Sequence, residues 1–196
     1  IYTSGIFRTE AEESKRGTLK ENLFGFRSSF GTGAGEIAGI TFYKTSFSRP
    51  LHLAGGRSFS GEGYDLAAVN YGFSLSRLAL FGEWTIFSGA AAGVSGALLT
   101  PSAAVDFIAA IRHYPAHFAS LHGFGFGENG NTSNEDGSYL GFRLQIARGI
   151  VVSSYYDQFR FPDGSAGDPF ATGGHEWLAR LGLHPQPRLD CLIQYQ

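Results

Sequence analysis

Apolar residues recur at every second position along much of this chain. From Asp65 to Leu75, one face carries Ala67, Val69, Tyr71, Phe73 and Leu75, and the other carries Leu66, Ala68, Asn70, Gly72 and Ser74. From Arg77 to Phe87, Leu78, Leu80, Trp84 and Ile86 oppose Ala79, Glu83 and Thr85. From Ser138 to Ala147, Leu140, Phe142, Leu144 and Ile146 oppose Tyr139, Gly141, Arg143 and Gln145. From His175 to His184, Trp177, Ala179, Leu181 and Leu183 oppose Glu176, Arg180 and Gly182. The last stretch sets Leu189, Cys191, Ile193 and Tyr195 against Asp190 and Gln194. Side chains of a strand point alternately to its two faces, so each segment reads as a strand with one apolar face. Less regular strands are expected over Ile1 to Thr9, Glu21 to Phe30, Glu36 to Phe47, Gly93 to Leu99, Ala104 to Arg112 and Ile150 to Arg160. The sum is about 11 or 12 strands of roughly 7 to 12 residues, the length of a tilted membrane span. The charge-rich stretch Glu10 to Glu21 has no helical repeat and reads as a solvated loop.

The connections add a second signal. Long ones are expected after Thr9, Phe47, Phe87, Arg112 and Arg160. Short ones are expected after Phe30, Leu75, Leu99, Ala147 and His184. Such alternation fits an up-and-down barrel with short turns at one rim and long loops at the other. The stretch from Pro115 to Asn129 also reads as an extra strand, in which case Ser88 to Ser102 is loop. The ending at Gln196 stops in mid-alternation. Bacterial barrels have even strand numbers, so a closing strand is expected outside this sequence.

Composition narrows the class. The 196 residues suit one domain, here 1–196. Aromatics make up 15% and charged residues only 16%, against about 25% charged in soluble domains. The net charge of −2 excludes a generally basic nucleic-acid binder. A single cysteine excludes a disulfide scaffold or a cysteine-rich metal site. No run of about 18 apolar residues provides a transmembrane helix. The faces opposite the apolar ones carry Gly, Ser, Ala, Asn and Thr, not the many Lys and Glu that a soluble barrel shows to water.

The reading is an all-β, antiparallel up-and-down transmembrane β-barrel of the bacterial outer membrane. Val69, Tyr71, Phe73, Leu78, Leu80, Trp84, Leu140, Phe142, Leu144, Trp177 and Leu181 are expected to face lipid. Asn70, Glu83, Asp106, Arg112, Arg143, Gln145, Glu176 and Arg180 are expected to face the lumen. Arg160 and Asp157 read as further inward charges, pairing across the interior. Trp84, Phe87, Tyr114, Phe159, Phe161, Trp177 and Tyr195 lie near strand ends, where interfacial girdles form.

Candidate chemistry is sparse. Gly31 to Gly35 resembles a phosphate loop, but a strand pattern follows where a helix is needed, so it reads as a hairpin turn. Asn129 to Gly137 is rich in oxygen ligands yet lacks the spacing and closing Glu of a calcium loop. His175-Glu176 has no second His at zinc spacing, and Cys191 reads as a small hydrophobe. Ser120 and His122 share a face if their stretch is extended, and Glu128 follows, so a lipid hydrolase or acyltransferase is the alternative activity. No G-x-S-x-G surrounds Ser120. A soluble ligand-binding barrel is the third reading. No catalytic residue, metal or cofactor is otherwise expected. The expected partners are outer-membrane lipid and other envelope proteins, not nucleic acid.

Four spaced runs carry a family resemblance: Arg112-His113-Tyr114, Gly123-Phe124-Gly125-Phe126-Gly127-Glu128, Asn134 to Gly141, and Tyr155 to Pro162. This region is similar to the barrel part of bacterial helix-hairpin-helix outer-membrane proteins of the Bacteroidota–Chlorobiota type. The resemblance implies an outer-membrane location and a barrel fold; the reading of the whole chain is a barrel without enzymatic activity, acting as pore, anchor or part of an envelope complex. It implies that Pro115 to Gly137 is one long external loop. The helix-hairpin-helix segment is not in this sequence, so no DNA binding carries over.

The pattern predicts that the protein extracted from envelopes needs detergent and shifts its gel mobility on boiling. A soluble, unshifted protein would place Phe73, Trp84, Phe142 and Leu181 in a core instead.

Overall fold

A computed structural model describes residues 9–14, 17–32, 35–52, 59–119, 121–128, 132–164, 170–186 and 189–196. Ten strands form one antiparallel sheet in sequence order: β1 (Glu21–Thr32), β2 (Gly35–His52), β3 (Ser60–Leu75), β4 (Leu78–Phe87), β5 (Ala90–Ser102), β6 (Val105–Tyr114), β7 (Glu135–Ala147), β8 (Ile150–Phe161), β9 (Thr172–Gln186) and β10 (Leu189–Tyr195). The sheet is an all-β meander in which each strand pairs with its sequence neighbours, and β1 and β10 are its edges. The strand expected over Ile1 to Thr9 falls almost wholly outside the described residues. Glu10–Glu13 forms one helical turn, α1, in the stretch read as loop. Thr9 accepts the Glu13 amide and Glu10 accepts the Ser14 amide, enough to close a turn but not a longer helix.

Register fixes the faces. Ala68 pairs with Thr85, Thr85 with Ala92, Val94 with Arg112 and Arg112 with Gly137. These pairs lie on the face that the β6–β7 connection covers, here the inner face. Val69 pairs with Trp84, Phe107 with Phe142, and Tyr156 with Trp177, on the outer face.

Two of the expected boundaries are corrected. The connection after Phe87 is not long: Ser88 and Gly89 close a two-residue turn between Phe87 and Ala90. Both have positive φ, 50° and 83°, as in the mirror-image turn whose twist suits a hairpin. The run from Ala90 to Ser102 is strand, so the reading that made it loop does not hold, and Pro115 to Asn134 contains no strand among its described residues. The remaining long connections, 53–59, 115–134 and 162–171, all lie at the sheet end shared with the Ser88–Gly89 turn. Every connection at the opposite end is short.

Parity also corrects the girdle. Phe87 and Tyr114 turn inward and are buried, because they sit in register with Leu66 and Glu135, and Phe159 turns inward opposite Gly137. Trp84, Trp177 and Tyr195 face outward, with Trp177 edge-on to Tyr195 at 5.5 Å between ring centroids. Arg160 is likewise not inward. It pairs with Asp136 on the outer face, where His113 also reaches Asp136.

The buried apolar cluster sits on the inner face at the long-connection end. Phe47, Leu51, Tyr64, Leu66, Ala68, Phe87, Ala92 and Tyr114 come from the strands, and Phe118 and Ala119 from the β6–β7 connection. Phe87 meets Tyr64 at 5.1 Å and Phe118 edge-on at 5.7 Å. Such aromatic pairs add about 1 kcal/mol each beyond their burial.

Gly89 holds a left-handed φ that an L side chain occupies at a cost of about 1–2 kcal/mol. Gly89→Val is expected to lower the unfolding free energy by that amount, read as a lower midpoint in urea. An unchanged midpoint would show that the turn relaxes without loss.

Candidate functional site

The inner face brings its functional side chains together around Arg112 on β6. Its guanidinium donates to Glu135 Oε1 at 2.5 Å and to Asp157 Oδ1 at 2.8 Å. The side chains are 1%, 0% and 6% exposed in the order Arg112, Glu135, Asp157. Asp157 lies two strands away on β8, so Arg112 must cross β7. It does so over Gly137, its register partner, where an added Cβ would stand 2.3 Å from Arg112 Cζ. Glycine here is required by close approach, not by backbone conformation.

The β6–β7 connection covers the triad. Phe126 lies over the guanidinium, 5.2 Å from ring centroid to Cζ, and meets Tyr139 edge-on at 5.5 Å. Tyr114 Oη donates to the Phe126 carbonyl at 2.9 Å, and the Glu128 amide donates to Glu135 Oε1 at 3.0 Å. Gly125 and Gly127 alternate with the two phenylalanines. A Cβ at either would collide, with the Tyr114 hydroxyl in one case and the Glu135 carboxylate in the other. Three further contacts hold the connection in place. His122 Nε2 lies 2.8 Å from Glu21 Oε1 on β1. Thr132 accepts the Gly125 amide at 2.9 Å. The Asn134 side chain exchanges two hydrogen bonds with the Asp163 backbone in the β8–β9 connection.

All eight residues expected to face the lumen lie on this inner face by register. Among their contacts, Arg143 reaches Asp106 at 3.4 Å and Arg180 bonds Gln194 at 2.9 Å. Glu176 accepts Tyr155 Oη. Asn70 and Arg27 converge on Glu36 Oε1 at 2.5 Å and 2.6 Å. Glu83 stands apart from these pairs. All eleven residues expected to face lipid lie on the outer face by register.

Sequence reasoning missed the covering role of the connection. It spans 115–134 rather than reaching Gly137, because β7 starts at Glu135, and it lies on the inner face instead of projecting away. The alternation of Gly with Phe from Gly123 to Gly127 was the available signal for a backbone pressed against a surface. Glu135 was also missed, as an acidic residue inside what read as a polar loop. Ser120 lies outside the described residues, as do residues 129–131. Glu128 is not brought to His122, whose carboxylate partner is Glu21. The Glu128 carboxyl is held above its ordinary range by burial and by the nearby carboxylates of Glu176, Asp157 and Glu135. Among the described residues, no three His, Cys, Asp or Glu side chains converge as a metal site. Cys191 is exposed on the outer face of β10.

Compared with known proteins, the chain matches no family model, no curated protein and no solved structure.

Removing one partner from a buried ion pair costs about 3–5 kcal/mol, because the remaining charge stays buried. Arg112→Met is expected to destabilise by that amount, leaving Glu135 and Asp157 uncompensated. Gly137→Ala should destabilise as well, by displacing Arg112 without removing any charge. Equilibrium unfolding checks both, and a neutral Gly137→Ala would mean that Arg112 does not cross β7 there.

Proposed function

We propose that this chain is an integral outer-membrane β-barrel of the bacterial envelope, non-enzymatic, with its interior covered by the β6–β7 connection. On this reading it serves as an anchor or envelope component, and the covered interior argues against an open pore. The proposed relationship is to the helix-hairpin-helix outer-membrane proteins.

The observation that carries the reading is the outer face. Val69, Phe73, Leu75, Ile86, Leu99, Phe107, Ile111, Leu140, Phe142, Leu144, Ile146, Trp177 and Ile193 are all exposed there, and no element among the described residues packs on them. A soluble monomer rarely exposes contiguous apolar patches beyond a few hundred Å2. From Ala67 to Leu75 the apolar positions of β3 span about 27 Å along the strand, comparable to the apolar band of outer-membrane barrels. Charged pairs bound this band toward the long-connection end. Lys44 reaches Asp65 at 3.6 Å, and Asp136 reaches Arg160 at 2.9 Å and His113 at 2.5 Å. The soluble-barrel reading needs the reverse, apolar inside and polar outside. In lipid, the backbone groups of the β1 and β10 edges must be satisfied by further pairing.

Leu140→Arg puts a charge within the outer apolar band. In a bilayer it should cost about 2–4 kcal/mol, whereas Gln145→Arg on the inner face should cost little. Refolding titrations into lipid vesicles measure both. A harmless Leu140→Arg, in a protein that stays monodisperse in buffer without detergent, would overturn the membrane reading. Lipid hydrolysis lost in His122→Ala would instead revive the enzyme reading.

A further inference from the structure

A cavity of about 320 Å3 lies between the inner face and the β6–β7 connection. Its walls mix aromatic rings with charge: Tyr43 on β2, Phe118 and Phe124 on the connection, Glu83 on β4 and Arg27 on β1. The volume is in the range of small-molecule sites, which are largely apolar with a few polar groups. Phe124 lines the cavity and is 94% exposed, so the cavity is open at its flank.

The charges at this cavity are not equivalent. Arg27 is committed to Glu36 at 2.6 Å, and His122 to Glu21 at 2.8 Å. The exposed Glu83 carboxylate makes no ion pair or hydrogen bond among the described residues. It sits on the inner face between Asn70 and Val94, one step below the pairing of Thr85 with Ala92 under the aromatic cluster. On the same inner-face row, Arg112 is matched by two carboxylates, so that triad leaves a further negative charge.

We propose that this cavity binds a small organic cation, an amine or quaternary ammonium group, with Glu83 as its counter-ion and the rings of Tyr43 and Phe118 as its walls. Aromatic faces attract cations through the ring quadrupole, most strongly where water is displaced. A carboxylate ligand would meet Glu83 with no free cation to offset it. A hard metal ion would need six or more oxygen ligands, and this cavity offers one uncommitted carboxylate. The cavity lies on the inner face, so the site does not depend on what covers the outer one.

The test uses the purified full chain, in detergent or in buffer as its solubility requires. Choline and its uncharged isostere, neohexyl alcohol, are titrated calorimetrically. Choline is expected to bind, and the alcohol about tenfold or more weakly, since the shape is kept and only the charge is lost. Glu83→Gln should weaken choline about tenfold, while Asp65→Asn on the outer face should leave it unchanged. Equal affinity for the two probes, an unaltered Glu83→Gln, or no binding of choline at millimolar concentration would each overturn the proposal. The comparison of probes on the unaltered protein holds even if the Gln variant fails to fold.

Discussion

Burying the Arg112 guanidinium constrains everything around it. An isolated charge in that position would cost several kcal/mol, so two carboxylates must come to it. One arrives from β7, at Glu135, where the β6–β7 connection ends. The other arrives from β8, at Asp157, and can be reached only because β7 offers Gly137 in between. Three strands are thereby locked in register by one side chain. The connection follows, since Phe126 over the guanidinium and the Glu128 amide on Glu135 complete the enclosure. One donor, Arg112 Nη2, has no partner among the described residues, so the cation–π contact compensates only in part.

The covering connection links that charged centre to the aromatic cluster. Phe118 packs into the rings of Phe87 and Tyr114, while His122 reaches across the sheet to Glu21 on the first strand. A segment leaving β6 thus makes contact with β1 and with the β8–β9 connection through Asn134. Local stability on the inner face is therefore shared across strands that do not pair with one another. The space left beneath the connection is the cavity beside Glu83.

The two faces obey opposite rules. Inside, charged groups such as Arg112, Arg143 and Arg180 have polar partners, and the buried apolar cluster lies under the connection. Outside, large apolar side chains stand bare across ten strands. A folded chain tolerates such a surface when its surroundings are apolar, and the charged pairs toward one end show where that surface stops.

The alternation in segments such as Asp65 to Leu75 and Ser138 to Ala147 was enough to assign strands and to sort their residues between two faces. Period two is a local property of the extended chain, so it is written in the sequence directly. The short turns at one end were legible for the same reason. The turn at Ser88–Gly89 was misread because Ala90 to Ala92 carries no polar alternation to mark a strand start. The inward parity of Phe87, Tyr114 and Phe159, and the outward one of Arg160, depended on register with neighbouring strands. The convergence of Arg112, Glu135 and Asp157, the passage over Gly137 and the folding of Gly123 to Glu128 onto the inner face were decided only by the tertiary structure. They join residues far apart in the chain, and nothing in local periodicity encodes which distant carboxylates a buried cation will gather.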